Sequence, residues 1–453
     1  MTVVAPGSAQ IIAGHRTLGK IVLGIFAGLV AMVGLVLWLV PLDTLAGLAV
    51  RPWLLTWFKI AAFLVALAWG GLIVDAWRLG DPPGLNQRHR LIMVGVSAAL
   101  VIVVVTPFVQ AAKIATAAHD AVVAMFPSGE VAAASDGRLN IMLLGADAGD
   151  GREGLRPDSI NVVSVDARTG RSVMISLPRN LEKARFAEGT PADAEFPRGF
   201  DGDGDRSDYL LNATWTYGED HPELFDGPAG PGATAVEQAV EGTLGIDVHY
   251  YAVVDLVGFR DLIDALGGVT IRVEQELPIG NASKTLKPGL QTLDGYHALW
   301  YARSREGATD YARMARQRCV FGAILNEADP QTVLTNFTEL ADASQSIVTT
   351  DIPRDALSDL IGLAVKAKSQ DLTALQFVPP LITPADPDFD LIAEKTDELL
   401  SSSADETAAT PEPAGDQPEA EPASAPSEQP ADQPAEDDQP SEPVDVSTVC
   451  SYE

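Results

Sequence analysis

The fold of this chain is decided by residues 139–180, LNIMLLGADAGDGREGLRPDSINVVSVDARTGRSVMISLPRN. This stretch holds three short apolar segments, Leu139–Gly145, Ser159–Asp166 and Arg171–Leu177. Their length, their aliphatic and β-branched content and the Gly, Pro and Asp residues around them predict buried β-strands. The turn Arg168–Gly170 joins the second strand to the third. The stretch therefore predicts the centre of a β-sheet.

Downstream of residue 230 the sequence alternates between helical and strand-like patterns. This alternation predicts an α/β layered domain. Residues 135–385 supply about 250 residues for it, which is enough chain for one large core. The predicted helices are Ala233–Leu244, Leu256–Leu266, Asp294–Arg303 and Tyr311–Glu327, and the predicted strands are Tyr250–Val254 and Val269–Val273.

Three long apolar runs precede this domain, Ile21–Val40, Leu54–Val74 and Leu91–Val109, and Lys59 is the single charge within them. Each run has about the 20 residues that a helix needs to cross the hydrocarbon core of a bilayer. A cleaved signal peptide has a shorter apolar region and is not followed by two more spans. The runs therefore predict a multi-pass cell-membrane protein whose membrane region is residues 21–109.

The cationic residues around these runs predict their orientation, because cytoplasmic loops are enriched in Lys and Arg. We expect residues 1–20 and the link between the second and third spans to be cytoplasmic. Everything after the third span is then extracytoplasmic. The residues that carry this prediction are His15, Arg16, Lys20, Arg78, Arg88, His89 and Arg90, against Arg51 alone in the first link.

The chain is strongly acidic, with 31 Lys+Arg against 62 Asp+Glu and a formal net charge of −31. Such a balance excludes non-specific binding to nucleic acid, whose phosphates require neutralising cations. Fourteen of the acidic residues and nine prolines lie in residues 401–453, which contain no Lys or Arg. This composition predicts a disordered tail over 400–453. The end of the tail, 444–452, is either a short strand that returns to the domain or a frayed terminus.

Cys319 and Cys450 are the two cysteines of the chain. Two cysteines exclude a disulfide scaffold and a multi-cysteine zinc site. Both lie in the part predicted to be extracytoplasmic, where disulfides persist. The sequence is equally compatible with a Cys319–Cys450 disulfide and with two free thiols.

Arginine and aspartate concentrate at the ends of the predicted strands and in one helix. Asp147 follows the first strand, Arg156 and Asp158 precede the second, and Arg179 follows the third. The segment Tyr301–Arg318 (YARSREGATDYARMARQR) carries five Arg residues. Arg binds phosphate oxygens through two parallel hydrogen bonds, so the pattern indicates a polyanion site, most simply for a pyrophosphate. A solvated, ion-paired helix face is the alternative for Tyr301–Arg318 taken alone.

These residues lie within a set of motifs that resembles the LytR-CpsA-Psr family of membrane-anchored glycopolymer transferases. Residues 198–205 and 221–225 resemble an insertion of its actinobacterial members. The chain departs from the family pattern at Pro157, at Asn180, where an acidic residue is usual, and in having three predicted spans. The matching motifs are Asn140–Asp147, Arg156–Ser159, Ser176–Arg179, Leu211–Ala213, Asp264–Val269, Pro288–Gly289, Leu293–Gly295, Ala298–Arg305 and Asp310–Arg318.

The resemblance implies an α-β-α domain with a central mixed sheet. It also implies a phosphotransferase that moves a polyprenyl-pyrophosphate-linked glycopolymer onto peptidoglycan, forming a phosphodiester to a muramyl hydroxyl. Two carboxylates, Asp147 and Asp158, then correspond to Mg²⁺ ligands. Asp310 either orients Arg313 or accepts the proton of the attacking hydroxyl. The implied pyrophosphate-binding residues are Arg156, Arg179, Arg303, Arg305, Arg313, Arg316 and Gln317, and the implied catalytic residues are Arg179, Arg313 and Asp310.

Two other functions are compatible with the sequence. One is a pyrophosphatase or phosphodiesterase that acts on lipid-linked intermediates, with water in place of the sugar hydroxyl. The other is a non-enzymatic envelope regulator of transcription. Direct regulation is disfavoured because the sequence contains no basic nucleic-acid-binding module.

Overall fold

The computed structural model describes residues 5–40, 47–48, 51–80, 86–146, 155–280, 284–304, 309–328, 348–405 and 442–450. The chain forms two compact units. Unit 1 comprises Met1–Val131, Ala328–Ser346 and Ile352–Val365, and unit 2 comprises Ala132–Glu327, Ile347–Asp351 and Lys366–Glu453. The strongly acidic part of the predicted tail, residues 406–441, lies outside the described residues.

Unit 1 contains three helices that are long and apolar enough to cross a membrane, so the protein is membrane-anchored. The third helix is longer than the predicted span, because the alanine-rich stretch after residue 109 favours helix and continues it to Met125. Asn86 caps its start by accepting a hydrogen bond from the backbone N–H of His89. The helices are α1 (Ser8–Ile12), α2 (Arg16–Leu39), α3 (Pro52–Leu79) and α4 (Gln87–Met125).

Unit 2 is built on a mixed seven-stranded sheet, which confirms the predicted α/β class. The order is β11-β10-β3-β2-β1-β4-β9. The pairs β1–β4 and β3–β10 are parallel and the other pairs are antiparallel. The strands are β1 (Arg138–Ala146), β2 (Pro157–Asp166), β3 (Ser172–Leu177), β4 (Tyr250–Asp255), β9 (Val348–Thr350), β10 (Leu372–Gln376) and β11 (Val444–Asp445), with β5–β8 given below.

All six residues of β3 are buried, so both faces of the sheet are covered at its centre. On one face Val173 and Ile175 belong to a core that also contains Phe186, Phe200 and Phe225. Helices pack in these layers because each presents an apolar stripe to the sheet. The helices of unit 2 are α5 (Pro191–Glu195), α6 (Thr214–Asp220), α7 (Pro231–Leu244), α8 (Leu256–Leu266), α9 (Gly295–Arg303), α10 (Asp310–Glu327), α12 (Phe389–Asp405) and α13 (Val446–Val449). Helix α11 (Leu357–Lys368) lies mainly in unit 1.

The predicted strand Val269–Val273 is a strand, β5, but it does not join the main sheet. It pairs with β8 (Gly289–Leu293) in a separate two-stranded sheet, and β6 (Leu277–Ile279) pairs with β7 (Lys284–Leu286) in another. Their inward residues form a second core with α9 and α10. The difference arises because alternation along a strand indicates which face is buried, but not which core buries it.

The terminal segment returns to the domain, but mostly as helix. Among its described residues, Val444 and Asp445 form the strand, and they pair with Ala374 and Thr373 of β10. The Asp445 side chain then accepts a hydrogen bond from the backbone N–H of Ser447 and starts α13. A disulfide joins Cys450 to Cys319 of α10, which settles the alternative that the sequence left open.

Candidate functional site

The end of β3 places Arg179. Two backbone hydrogen bonds fix the segment that follows the strand: the Asn212 N–H donates to the Arg179 carbonyl at 3.1 Å, and the Leu211 N–H donates to the Leu181 carbonyl at 2.9 Å. Residues 211–213 form a short 3₁₀ helix whose side chains are buried. The Leu-Asn-Ala motif therefore holds the backbone that carries Arg179.

Asp158 lies at the start of β2 and meets Arg179 from the neighbouring strand. Arg179 Nη1 donates to Asp158 Oδ1 at 2.6 Å. Beside this contact the ladder between β1 and β2 shifts its register at Gly145 and Ala146. A Cβ atom on Gly145 would lie 2.4 Å from the Ser159 Oγ, so glycine allows the two strands to approach here.

The first turn of α10 supplies Asp310 and Arg313. Arg313 donates to Asp310 through Nε at 3.2 Å and through Nη2 at 3.1 Å. Arg313 Nη1 donates to the backbone carbonyl of Asp158 at 3.1 Å. Arg179 Nε donates to Asp310 Oδ2 at 3.4 Å. Asp158, Arg179, Asp310 and Arg313 thus form one connected group, which we call the Arg–Asp cluster.

The members of the Arg–Asp cluster differ in their access to solvent. The Arg313 side chain is 3% exposed, whereas the Arg179, Asp158 and Asp310 side chains are 28%, 30% and 28% exposed. Because the two guanidinium and two carboxylate charges cancel, an anionic ligand must compete with the carboxylates for N–H donors. Arg179 is the cation of the cluster that a ligand can reach, whereas Arg313 is buried and shares the Asp310 carboxylate with it.

Three further predicted residues lie on the helices that flank the cluster. Gln317 follows Arg313 by one helical turn on α10 and is partly buried. Arg316 is 9% exposed and directs its guanidinium to the end of α9, where Nε donates to the Tyr301 carbonyl at 2.9 Å and Nη2 donates to the Ser304 carbonyl. Arg303 is the last residue of α9. Arg316 thus satisfies carbonyls that a helix C-terminus leaves without partners.

Arg156 lies apart from the Arg–Asp cluster in its described contacts. Its Nη2 pairs with Asp208 at 3.2 Å and its Nη1 donates to the Ser207 carbonyl at 3.3 Å. The Arg156 side chain is 41% exposed. The predicted ligand Asp147 and the predicted cation Arg305 lie outside the described residues.

Sequence reasoning missed Tyr311 and the side chain of Asn180. Burial raises the pKa of the Tyr311 phenol, a hydrogen bond with the Asn180 side chain lowers it, and the Asp310 carboxylate raises it. The two residues directly follow Asp310 and Arg179 along the chain, so adjacency was the available signal. The hydrogen bond between Tyr311 and Asn180 is therefore a second connection between the segment after β3 and α10, next to the contact of Arg179 with Asp310.

These features define a membrane-anchored protein with a mixed α/β domain that carries guanidinium groups and carboxylates at the ends of its central strands. A model of the LytR_cpsA_psr family matches residues 105–379. The chain therefore belongs to that family, which confirms the resemblance found in its motifs.

Two relatives show how far the similarity extends. A protein named polyisoprenyl-teichoic acid–peptidoglycan teichoic acid transferase TagU, from Oceanobacillus iheyensis, is 32% identical over 226 residues, which cover 49% of this chain and 62% of that protein. Regulatory protein MsrR from Staphylococcus aureus is 31% identical over 222 residues, covering 48% of this chain and 58% of that protein. The chain thus spans about three fifths of the length of these relatives.

Solved structures also align with the chain. Bacillus subtilis TagV is 24% identical with a TM-score of 0.43, covering 60% of this chain and 98% of that one. The structure of TagT bound to LIIa-WTA is 20% identical with a TM-score of 0.43, covering 61% of this chain and 95% of that one.

Proposed function

We propose that this protein is a phosphotransferase that moves a polyprenyl-pyrophosphate-linked glycopolymer onto a muramyl hydroxyl of peptidoglycan. The Arg–Asp cluster carries this proposal, because it places an accessible guanidinium, Arg179, at the meeting point of two strand ends and a helix start. The name of the TagU relative describes a transfer of the same class.

In the proposed reaction the acceptor oxygen attacks the phosphorus that carries the glycopolymer and forms the phosphodiester. The phosphoanhydride bond breaks, and polyprenyl phosphate leaves with the proton of the acceptor hydroxyl. Such a displacement depends on positioning and on cations against the non-bridging oxygens. Arg179 supplies that contact, and Gln317 supplies a neutral donor on the same helix face as Arg313. Arg303 and Arg305 are proposed to bind the departing phosphate.

Asp310 orients the two arginines in this proposal. Its carboxylate accepts hydrogen bonds from Nε and Nη2 of Arg313 and from Nε of Arg179. A carboxylate that already accepts three hydrogen bonds from guanidinium groups is a poor acceptor for a further proton. This arrangement favours the orienting role over that of the base that takes the acceptor's proton.

The donor set is compatible with Mg²⁺, which proteins usually bind through one or two carboxylates together with substrate phosphates. Among the described residues no group of three or more His, Cys, Asp or Glu side chains is arranged to hold a metal ion. Asp158 is 30% exposed and, with Asp147, would hold the ion. When bound, the ion would neutralise charge on the pyrophosphate oxygens.

We further propose that residues 1–20 are cytoplasmic and that the catalytic domain lies outside the cell. The basic flanks of the first and third apolar helices support this orientation. A reporter that is active only outside the cytoplasm, fused after residue 130, should be active. A reporter that is active only inside the cytoplasm should be silent at that position, and the reverse result would contradict the topology.

The function is tested with the full chain in detergent, a lipid-pyrophosphate-linked glycan and peptidoglycan fragments. We expect a glycan–phosphate–muramyl product, which Arg179→Ala abolishes while circular dichroism shows an intact fold. Arg185→Ala is the matched control, since Arg185 is an exposed cation that pairs with Asp390. Release of glycan phosphate without attachment to the acceptor would instead identify a hydrolase. Wild-type rates in Arg179→Ala would refute the site.

A further inference from the structure

The start of α10 is joined to the segment after β3 by two kinds of side-chain contact. One is ionic, because Arg179 Nε donates to Asp310 Oδ2 at 3.4 Å. The other is neutral, because the side chain of Asn180 forms a hydrogen bond with the phenol of Tyr311. Each residue of the neutral pair directly follows a residue of the ionic pair along the chain. The two contacts therefore join the same two segments of unit 2.

The backbone on the β3 side of the neutral pair is held by the domain itself. The Leu181 N–H donates to the Pro178 carbonyl at 3.0 Å, which closes a turn that contains Asn180. The Glu182 N–H donates to the Pro384 carbonyl at 2.9 Å. The Leu181 side chain is fully buried in the main core. The position of Asn180 is thus fixed without its partner.

The first turn of α10 is ordered locally by a helix cap. The Ala312 N–H donates to Thr309 Oγ1 at 3.3 Å. Such a cap stabilises the start of a helix but does not attach it to the sheet. Guanidinium groups make that attachment on both sides of Tyr311, since Arg179 donates to Asp310 and Arg313 Nη1 donates to a backbone carbonyl of β2.

An anionic ligand acts differently on the ionic and the neutral contact. A phosphate bound at Arg179 takes N–H donors that Asp310 shares in the free protein. Salt weakens the same contact, because the Arg179 and Asp310 side chains are each 28% exposed. The hydrogen bond between Asn180 and Tyr311 has no net charge, so the ligand does not compete for it. This bond therefore persists where the ionic contact is weakened.

The identity of residue 180 strengthens this difference. The LytR-CpsA-Psr pattern usually has an acidic residue at this position, whereas this chain has Asn180. A carboxylate next to Arg179 would compete with a phosphate for the guanidinium group. The amide of Asn180 binds the phenol of Tyr311 and leaves Arg179 to the ligand.

We propose that Asn180 and Tyr311 are positioning residues, whose hydrogen bond keeps the start of α10 against the end of β3 when the substrate replaces Asp310 as a partner of Arg179. The inference rests on the proposed function, which places phosphate oxygens at Arg179. Neither positioning residue contacts the substrate in this role. The pair acts through Asp310 and Arg313, whose helix it holds in place.

A double-mutant cycle in the full chain in detergent tests the pair, with Asn180→Leu, Tyr311→Phe and the double variant. Inorganic pyrophosphate is the probe, and calorimetric titration measures its dissociation constant. We expect each single variant to raise this constant about three- to tenfold, the usual effect of one lost hydrogen bond. The double variant should bind no more weakly than either single variant, because the two side chains form one contact.

Tyr296→Phe is the matched control for Tyr311→Phe. It removes a phenol hydroxyl from a side chain of α9 that is 40% exposed. The dissociation constant of pyrophosphate should equal that of the wild type in this variant.

Transfer kinetics separate positioning from a purely structural role. Well below the unfolding temperature, a contact that only stabilises the fold leaves kcat and KM unchanged. We expect Tyr311→Phe and Asn180→Leu to lower kcat. Asn180→Asp should retain kcat, because the phenol O–H can donate to the carboxylate, and should raise KM, because the carboxylate competes for Arg179.

Three results would overturn the inference. The first is wild-type affinity for pyrophosphate in both single variants. The second is a pair of effects that multiply in the double variant, since Asn180 and Tyr311 would then act separately. The third is a loss of kcat in Asn180→Asp as large as in Asn180→Leu.

The binding cycle also distinguishes this inference from the proposed function. A wild type that binds pyrophosphate but transfers no glycan would contradict the proposed function alone, and the cycle would still test the pair. A wild type that binds no pyrophosphate would contradict both.

Discussion

The sequence assigns Arg316 and Arg179 to the same pyrophosphate site, but in the structure their side chains have different partners. Arg179 donates to two carboxylates and is 28% exposed, whereas Arg316 is 9% exposed and donates to backbone carbonyls at the end of α9. A guanidinium that neutralises a helix C-terminus contributes chiefly to stability. The two residues should therefore respond differently to the same substitution.

We expect Arg316→Ala to lower the free energy of unfolding by about 2–4 kcal/mol, because buried carbonyls lose charged donors. Arg179→Ala should change stability by less than about 1 kcal/mol and abolish transfer. Thermal unfolding of the full chain in detergent measures the first effect and product formation the second. An Arg316→Ala protein that unfolds like the wild type but transfers nothing would show that Arg316 contacts substrate.

The buried carboxyl group of Glu237 in α7 should make the stability of the fold depend on pH. Burial raises its pKa to about 8 from 4.5, with further contributions from Glu241 and Asp351. The folded state therefore favours the protonated form. This contribution is fully present below about pH 4.5 and is lost as the pH rises through about 8. Glu237→Gln should have the stability of the wild type near about pH 5 and exceed it near about pH 9.

Unfolding temperatures measured across that range give the comparison for Glu237. Glu188→Gln is the control, since Glu188 is exposed and its substitution should leave the profile of the wild type unchanged. Parallel profiles for the wild type and Glu237→Gln would contradict the assignment.

At the scale of elements, the junction of β1 and β2 depends on one glycine. Gly145→Ala places a Cβ atom 2.4 Å from the Ser159 Oγ. We expect this variant to lose about 1–3 kcal/mol of stability, the usual effect of overpacking, and to lose activity because Asp158 shifts. Adding Ser159→Ala should restore both, since the next nearest atom lies at 3.6 Å.

Gly362→Ala on α11 is the matched control for Gly145→Ala, because a Cβ atom at Gly362 meets nothing within 4 Å. Alanine there should be neutral or slightly stabilising. A double variant no better than Gly145→Ala alone would place the conflict elsewhere than at Ser159.

The disulfide ties α13 to α10, the helix that carries Asp310 and Arg313. Cys319 and Cys450 are 131 residues apart, so the bond closes a long loop in the unfolded chain. We expect Cys450→Ser, or a reductant, to lower the free energy of unfolding by about 2–4 kcal/mol. The reductant should not affect the Cys450→Ser variant further. An unfolding temperature of the wild type that is the same with and without reductant would contradict a stabilising bond.

The sequence predicted where helices and strands lie better than it predicted which strands pair. The helix Leu256–Leu266 was found with its observed bounds, because its apolar period and its Asp255 and Gly267 ends are local signals. The strand Val269–Val273 was also found, but its separate sheet was not. The short strand β9 and the helix at Val446–Val449 were missed, because four residues or fewer carry no reliable period.

At the scale of the whole molecule, unit 1 joins segments that are far apart in sequence. Arg354 Nε donates to the Phe126 carbonyl at 3.2 Å, and the Arg354 N–H donates to the Pro127 carbonyl at 2.9 Å. A chain that begins at residue 132 lacks both acceptors. We expect residues 352–365 to be cleaved faster by protease in that truncated protein than in the full chain in detergent.

Limited proteolysis followed by mass spectrometry measures this effect. Cleavage in unit 2, for example in the 201–205 loop, provides the internal reference. Equal cleavage of residues 352–365 in both proteins would show that this segment is stable without residues 1–131.

The sequence by itself determined the apolar helices, the three central strands, the helices between residues 233 and 327, and the family. These depend on periods of two or 3.6 residues, on span length and on motifs, all of which act over short distances along the chain. The tertiary structure decided which charged groups meet. Arg179 and Asp310 are 131 residues apart, and Arg313 and Asp158 are 155 apart. Their contacts, and the different partners of Arg156 and Arg316, follow from strand order and helix packing, which no local pattern encodes.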